Sequence, residues 1–189
     1  MRRGRVGARH PARPGLRHAL IAPVVATALL ALARTLLLRV TVDGESMSPY
    51  LRHGARALAV RTPFARVRRG ALVVGRTPAG SGDRWVRLRD PDTGEVLDLQ
   101  PAHDAHFVKR VVGVPGDRVR PRHRPLDDGA GAPAVVDVPA GAYFVEGETG
   151  FSVDSGLWGP VPADHILGVV LTRPRARDRP RPAARPVAP

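Results

Sequence analysis

From Ala19 to Leu38 the chain runs for twenty residues broken only by Pro23, Thr27, Arg34 and Thr35. Such a run cannot stay in water as a solvated segment, and as a helix it would be roughly 30 Å long, the thickness of a bilayer core. Arg2, Arg3, Arg5, Arg9, Arg13 and Arg17 precede it and Arg39 closes it. Arginines gathered before an apolar span hold that end in the cytoplasm. The expectation is a basic cytoplasmic tail over 1–18, a single transmembrane anchor over 19–38, and an extracytoplasmic remainder at the cell membrane. Two other placements exist for the run. Ala31-Leu32-Ala33 fits the cleavage pattern of a signal peptide, and a soluble protein could bury the helix in its core. The flanking arginines favour the membrane topology.

Beyond residue 39 the pattern changes to short β-branched runs separated by Gly, Pro and Asp. Val40-Thr41-Val42 leads into the loop Asp43 to Pro49, and strands are expected at Ala55 to Arg61 and at Ala71 to Gly75. Trp85 to Arg89 and Glu95 to Leu99 flank Asp90-Pro91-Asp92-Thr93-Gly94, a hairpin signature. Phe107 to Val114 ends at the turn Pro115-Gly116-Asp117, and short strands follow at 117–120, 135–138, 143–146 and 166–171. No helical periodicity of any length appears after the apolar run. The fold class is therefore mainly β, with a β-rich domain over 40–171 and a disordered Arg/Pro tail over 172–189.

Charge sharpens one position. The formal net charge is +13, carried by 29 arginines and a single lysine, Lys109. Twelve of the arginines lie in the two tails, and the rest are not interleaved with aromatics, so a nucleic-acid surface is not expected. Lys109 sits inside the apolar strand Phe107-Val108-Lys109-Arg110-Val111-Val112. Arginine keeps its proton in any protein setting, whereas a lysine among apolar groups can be neutral near pH 7 and act as a base. A surface lysine on a strand edge is the plain alternative, weakened by the lack of lysine anywhere else. There is no cysteine, hence no disulfide and no thiolate chemistry. His103 and His106 are three apart without a third expected ligand, so no metal site is assigned and no cofactor is expected. Asp127-Asp128 reads as a solvated turn pair.

The loop Asp43 to Pro49 holds Ser46 and Met47, the latter the one methionine besides the initiator. A loop serine alone is usually a turn residue. Together with a lone lysine on an apolar strand it supplies a nucleophile and a base. The order Gly44-Glu45-Ser46-Met47-Ser48-Pro49, Arg69-Gly70-Ala71-Leu72-Val73-Val74, Lys109 to Asp117, and Gly147 to Gly159 with Ser152-Val153-Asp154-Ser155 inside it resembles the type I signal peptidase family over roughly residues 20–171.

That resemblance implies a membrane-anchored serine endopeptidase with a β-rich domain, which removes signal peptides from exported precursors after small residues in an Ala-X-Ala pattern. It implies Ser46 as nucleophile, Lys109 as general base, Ser152 as the hydroxyl that orients the lysine, and Asp154 with Arg110 as a supporting ion pair. The backbone N–H of Ser46 matches the main oxyanion donor, and Met47 and Pro49 fall in the substrate-binding loop. Gly44 stands where some members carry a serine that adds a second donor. Tyr50, Ala71, Gly147 to Gly150 and Gly156 depart from the family pattern, the last replacing an arginine. The partners implied are exported precursors and the lipid bilayer. Two other functions fit parts of the chain: a maturation protease dedicated to one exported precursor, and a non-catalytic anchored domain whose basic tails bind anionic lipid or nucleic acid.

Overall fold

The computed structural model describes residues 16–78, 85–90, 92–100, 106–123, 125–126 and 135–171, with side chains from Ile21 onward. His103, Asp127-Asp128 and the two expected tails, apart from the helical residues 16–18, lie outside these residues. The chain divides into two units, residues 1–35 and 36–189.

The first unit holds all but the last residue of helix α1, Leu16–Leu36. Its apolar side chains Ile21, Val24, Val25, Leu29, Leu30 and Leu32 are about half exposed or more. Thr27 and Thr35 turn their hydroxyls back onto the carbonyls of Pro23 and Leu32, both at 2.8 Å, so the polar interruptions are satisfied within the helix. Among the described residues, no helix is long and apolar enough to cross a membrane. The span expected over 19–38 is shortened at its far end. Leu37 and Leu38 leave the helix and pair in register with Val60 and Ala59. Of the expected span, residues 19–36 are helical, eighteen positions that reach about 27 Å. A run of leucines satisfies helix and strand equally, and the neighbouring strand decided where it changed.

The second unit is built on one antiparallel sheet. Its strands are β1 (Leu37–Thr41), β2 (Arg56–Arg61), β3 (Leu72–Arg76), β6 (His106–Gly113), β9 (Ala142–Glu146), β10 (Val161–Pro162) and β11 (Ile166–Val170). They lie in the order β1-β2-β11-β3-β6-β9-β10. Two small ribbons stand apart from it: β4 (Val86–Arg89) with β5 (Val96–Leu99), and β7 (Arg118–Val119) with β8 (Val136–Asp137). The mainly β expectation holds. The β4–β5 hairpin forms where the Asp90 to Gly94 signature places it, with Asp90 Oδ1 accepting from the N–H groups of Asp92 and Thr93 at 2.7 and 3.0 Å. A single helical turn, α2 (Ser155–Trp158), was not legible, because four residues carry no periodicity.

Alternation along the strands sends buried side chains to both faces of the sheet, and the core falls into three clusters, the smallest formed by Val112, Val119, Val138 and Phe144. On one face Val73, Phe107, Val111, Val145, Val161 and Ile166 pack together. On the other, Val42, Met47, Leu51, Ala59, Leu72, Val74 and Val170 do. Lys109 lies directly across from Val73 and shares its period with Phe107 and Val111, so the strand that buries those apolar chains must bury the lysine too.

Candidate active site

Met47 fixes Ser46. Its side chain is 1% exposed among the aliphatic residues of the second core, and burying a methionine fully contributes roughly 1.5–3 kcal/mol. The loop backbone is held from the other side as well, since the Ser46 carbonyl accepts the Glu148 N–H at 2.7 Å. With its neighbour anchored and its carbonyl bonded, the Ser46 backbone is held beside Lys109. Lys109 Nζ lies 2.8 Å from Ser46 Oγ and 2.9 Å from Ser152 Oγ.

Lys109 is 4% exposed, and burial pulls its pKa down to about 8 against the opposing pull of the Asp154 charge. A neutral amine has one lone pair and two N–H groups. It can therefore accept the Ser46 proton while donating to Ser152, which makes Ser152 an orienting partner by geometry. The close approach of Ser152 depends on Gly147: a Cβ there would stand 2.2 Å from Ser152 Oγ and 2.9 Å from the Ser46 carbonyl.

The expected ion pair between Asp154 and Arg110 is absent, and each residue has another partner. Arg110 Nε bonds Glu148 Oε1, its Nη1 donates to the Gly70 carbonyl at 2.8 Å, and its guanidinium lies 4.5 Å from the centre of the Tyr50 ring. The alternation of β6 explains this. Arg110 follows Lys109 and so points to the opposite face, away from any group that touches the lysine.

Asp154 instead faces His123, with Nδ1 at 2.7 Å from Oδ2, and both side chains are buried. The same oxygen accepts the Gly147 N–H at 2.9 Å, while Oδ1 caps α2 through the Gly156 N–H at 3.0 Å. Burial alone would raise the Asp154 pKa. The bond and charge of His123, with Lys109 and the Gly147 N–H, hold it below the ordinary carboxylate value. His123 was not singled out from the sequence. It stands in Arg120-Pro121-Arg122-His123-Arg124-Pro125, where nothing in spacing marks it. The one indirect signal was Gly156, where a Cβ would fall 1.8 Å from the His123 carbonyl oxygen. A side chain at 156 and the observed course of the His123 segment exclude each other.

A cleft of about 320 Å³ opens beside the pair, walled by Val40, Thr41, Val42, Ser46, Met47, Phe107, Val108, Lys109, Val153 and Trp158 among others. Met47 takes part in its wall. Pro49 does not: it is exposed and absent from the lining. His106 reaches the rim without gathering ligands, and among the described residues no group of three or more His, Cys, Asp or Glu side chains could hold a metal. Gly44 has φ 97°, and a Cβ there would meet open space, so no side-chain donor supplements the Ser46 N–H from that position.

A half-buried serine hydroxyl against a desolvated lysine amine, beside an open cleft, sets a nucleophile next to a group able to take its proton. Residues 16–127 match the family described as signal peptidase, peptidase S26, and the chain belongs to that family. A relative from Synechocystis sp. named probable signal peptidase I-2 is 38% identical over 109 residues, covering 46% of this chain and 50% of its own length. The chain thus spans about half the length of that relative.

Proposed function

We propose that this protein is a membrane-anchored serine endopeptidase that removes signal peptides from exported precursors, with Ser46 as nucleophile and Lys109 as general base. The observation that carries the reading is the 2.8 Å contact between Ser46 Oγ and a lysine amine that burial has brought to a pKa of about 8. In the reaction, Ser46 Oγ passes its proton to the neutral Lys109 amine as it attacks the scissile carbonyl. The oxyanion that forms accepts the Ser46 N–H. As the tetrahedral intermediate collapses, Lys109 returns the proton to the departing amine. A water, deprotonated by the same lysine, then attacks the acyl carbon; as the acyl–oxygen bond breaks, Lys109 returns that proton to Ser46 Oγ and the acid is released.

The substrate lies extended along the cleft. Valines and Met47 in its wall leave room for small side chains, which fits cleavage after an Ala-X-Ala-like sequence. The apolar helix that precedes β1, with the arginines before it, is the membrane attachment of this reading, N-terminus in the cytoplasm and catalytic domain outside. The 172–189 tail takes no part in the chemistry.

The test is incubation of the full chain, in detergent or lipid, with a set of exported precursors, followed by N-terminal sequencing of the products. Lys109→Arg keeps a cation that cannot give up its proton, so cleavage should fall by about three orders of magnitude or more. Ser46→Ala should fall as far, and the double mutant no further, because the two residues act as one unit. Retention of more than about a tenth of wild-type cleavage by Lys109→Arg would overturn the assignment of the base. Products from many precursors favour a general signal peptidase; cleavage of one alone favours a dedicated maturation protease.

A further inference from the structure

The proton-transfer scheme above makes no use of His123, yet it is among the most completely enclosed polar side chains described, 1% exposed. Both ring nitrogens face acceptors: Nδ1 is 2.7 Å from Asp154 Oδ2, and Nε2 is 2.8 Å from the carbonyl oxygen of Thr149. A neutral imidazole carries one N–H, so in either tautomer one of these contacts would set two lone pairs against each other in a dry site. Only the doubly protonated ring satisfies both. A carbonyl oxygen cannot supply the missing proton, and Asp154 already accepts two backbone N–H groups, which hold it in its ionised form.

We propose that His123 is a positioning residue for the Lys109 base: held as an imidazolium, it keeps Asp154 ionised and in place while compensating the charge that Asp154 would otherwise turn on the lysine. The inference rests on the reading of Lys109 as the base. Its physical content is a balance. Asp154 is the charged group that opposes loss of the Lys109 proton, and a cation bonded to that carboxylate weakens the opposition. Asp154 cannot simply be absent, because its two oxygens cap α2 and bind Gly147, and these two segments flank Ser152. An uncompensated carboxylate would orient Ser152 and at the same time keep the lysine charged. The imidazolium resolves the conflict.

Of the other groups near the ring, the carboxyls of Glu146 and Asp90 feel the His123 charge and favour the same state when ionised, whereas Arg122 is a like charge beside it, held by Asp92 at 3.0 Å. Burial lowers the affinity of His123 for its second proton, but the hydrogen bond and charge of Asp154, with Glu146 and the Thr149 carbonyl, raise its pKa above the ordinary value. Glu146 is itself pushed up to about 7 by burial and by Asp154. Asp154 is therefore the resident counter-ion at lower pH, and Glu146 adds a second negative charge as pH rises past neutrality.

The experiment has two arms, both on the full chain in detergent micelles. In the first, histidine labelled with nitrogen-15 is introduced into the inactive Ser46→Ala chain and the ring signals are followed by NMR. One ring should remain doubly protonated at pH 7.5, and its signal should vanish in His123→Gln. A single neutral tautomer at His123 at that pH overturns the proposal. In the second arm, cleavage is measured against pH for wild type and His123→Gln, with His123→Asn as the substitute should Gln not fold. The ascending limb should move upward by about one pH unit, so that the rate at pH 7 falls roughly tenfold and recovers at higher pH. An unmoved limb overturns the positioning role, even with a doubly protonated ring and a lowered melting temperature. Failure of the dyad itself would appear differently, as cleavage surviving Lys109→Arg, and the NMR arm is indifferent to it.

Discussion

Lys109→Met separates the cost of burying the amine from everything else the residue does. In the unfolded chain a lysine titrates near 10.5, whereas in the folded protein burial brings Lys109 to about 8. Between those values the unfolded chain holds a proton that the folded protein refuses, so stability rises with pH across the window. Below pH 8 both states hold the proton and the full cost is present. A gap of about two and a half pH units corresponds to about 3 kcal/mol. Methionine preserves most of the packed stem and carries no charge, but it forfeits the bonds to Ser46 and Ser152, worth about 1 kcal/mol each. At pH 7 the substitution should therefore be close to neutral or mildly stabilising. At pH 10 most of the cost has already gone from the wild type, and the substitution should be destabilising. Urea unfolding followed by tryptophan fluorescence at the two pH values gives the difference directly. Titration of Glu146 and His123 largely cancels in the comparison. A relative stability that does not change between pH 7 and 10, or changes in the opposite direction, would refute a depressed lysine pKa and remove the physical basis for a neutral base.

Gly156→Ala should lower both stability and cleavage sharply, because the new Cβ would fall 1.8 Å from the His123 carbonyl and either α2 or the His123 segment must move; thermal unfolding and peptide cleavage read the two effects. Glu146→Gln should flatten the loss of stability between about pH 4.5 and 7, since the folded state there keeps a proton that the unfolded chain has released, and melting temperatures across that range check it. Met47→Ala should cost about 2–5 kcal/mol and reduce cleavage beyond what the lost stability explains, because the side chain that seats Ser46 is gone; kcat measured well below the melting temperature separates the two. Protease added to intact cells should reach the domain after residue 39 and spare the first eighteen residues; the reverse pattern would invert the topology.

Much of the site was legible in the sequence because its chemistry requires rare residue types. One lysine in a chain of arginines, one internal methionine beside a loop serine, and an apolar strand ending in Pro-Gly-Asp could be read without coordinates. The strands and the β4–β5 hairpin followed from period-two alternation and turn residues, which act locally and so leave a local trace. Less legible was which charged groups meet across the chain. The resemblance joins Arg110 and Asp154, but the pleat sends Arg110 to Glu148, and Asp154 pairs with His123. Leu37 and Leu38 extended the apolar run in sequence, and only pairing with Ala59 and Val60 made them strand. His123 belongs to the same class. Its spacing from Asp154 carries no pattern, and the sequence around it is an ordinary basic loop. The buried imidazole exists because tertiary packing closes water out around a carboxylate, and a charge removed from water must find its counter-ion wherever the fold brings one.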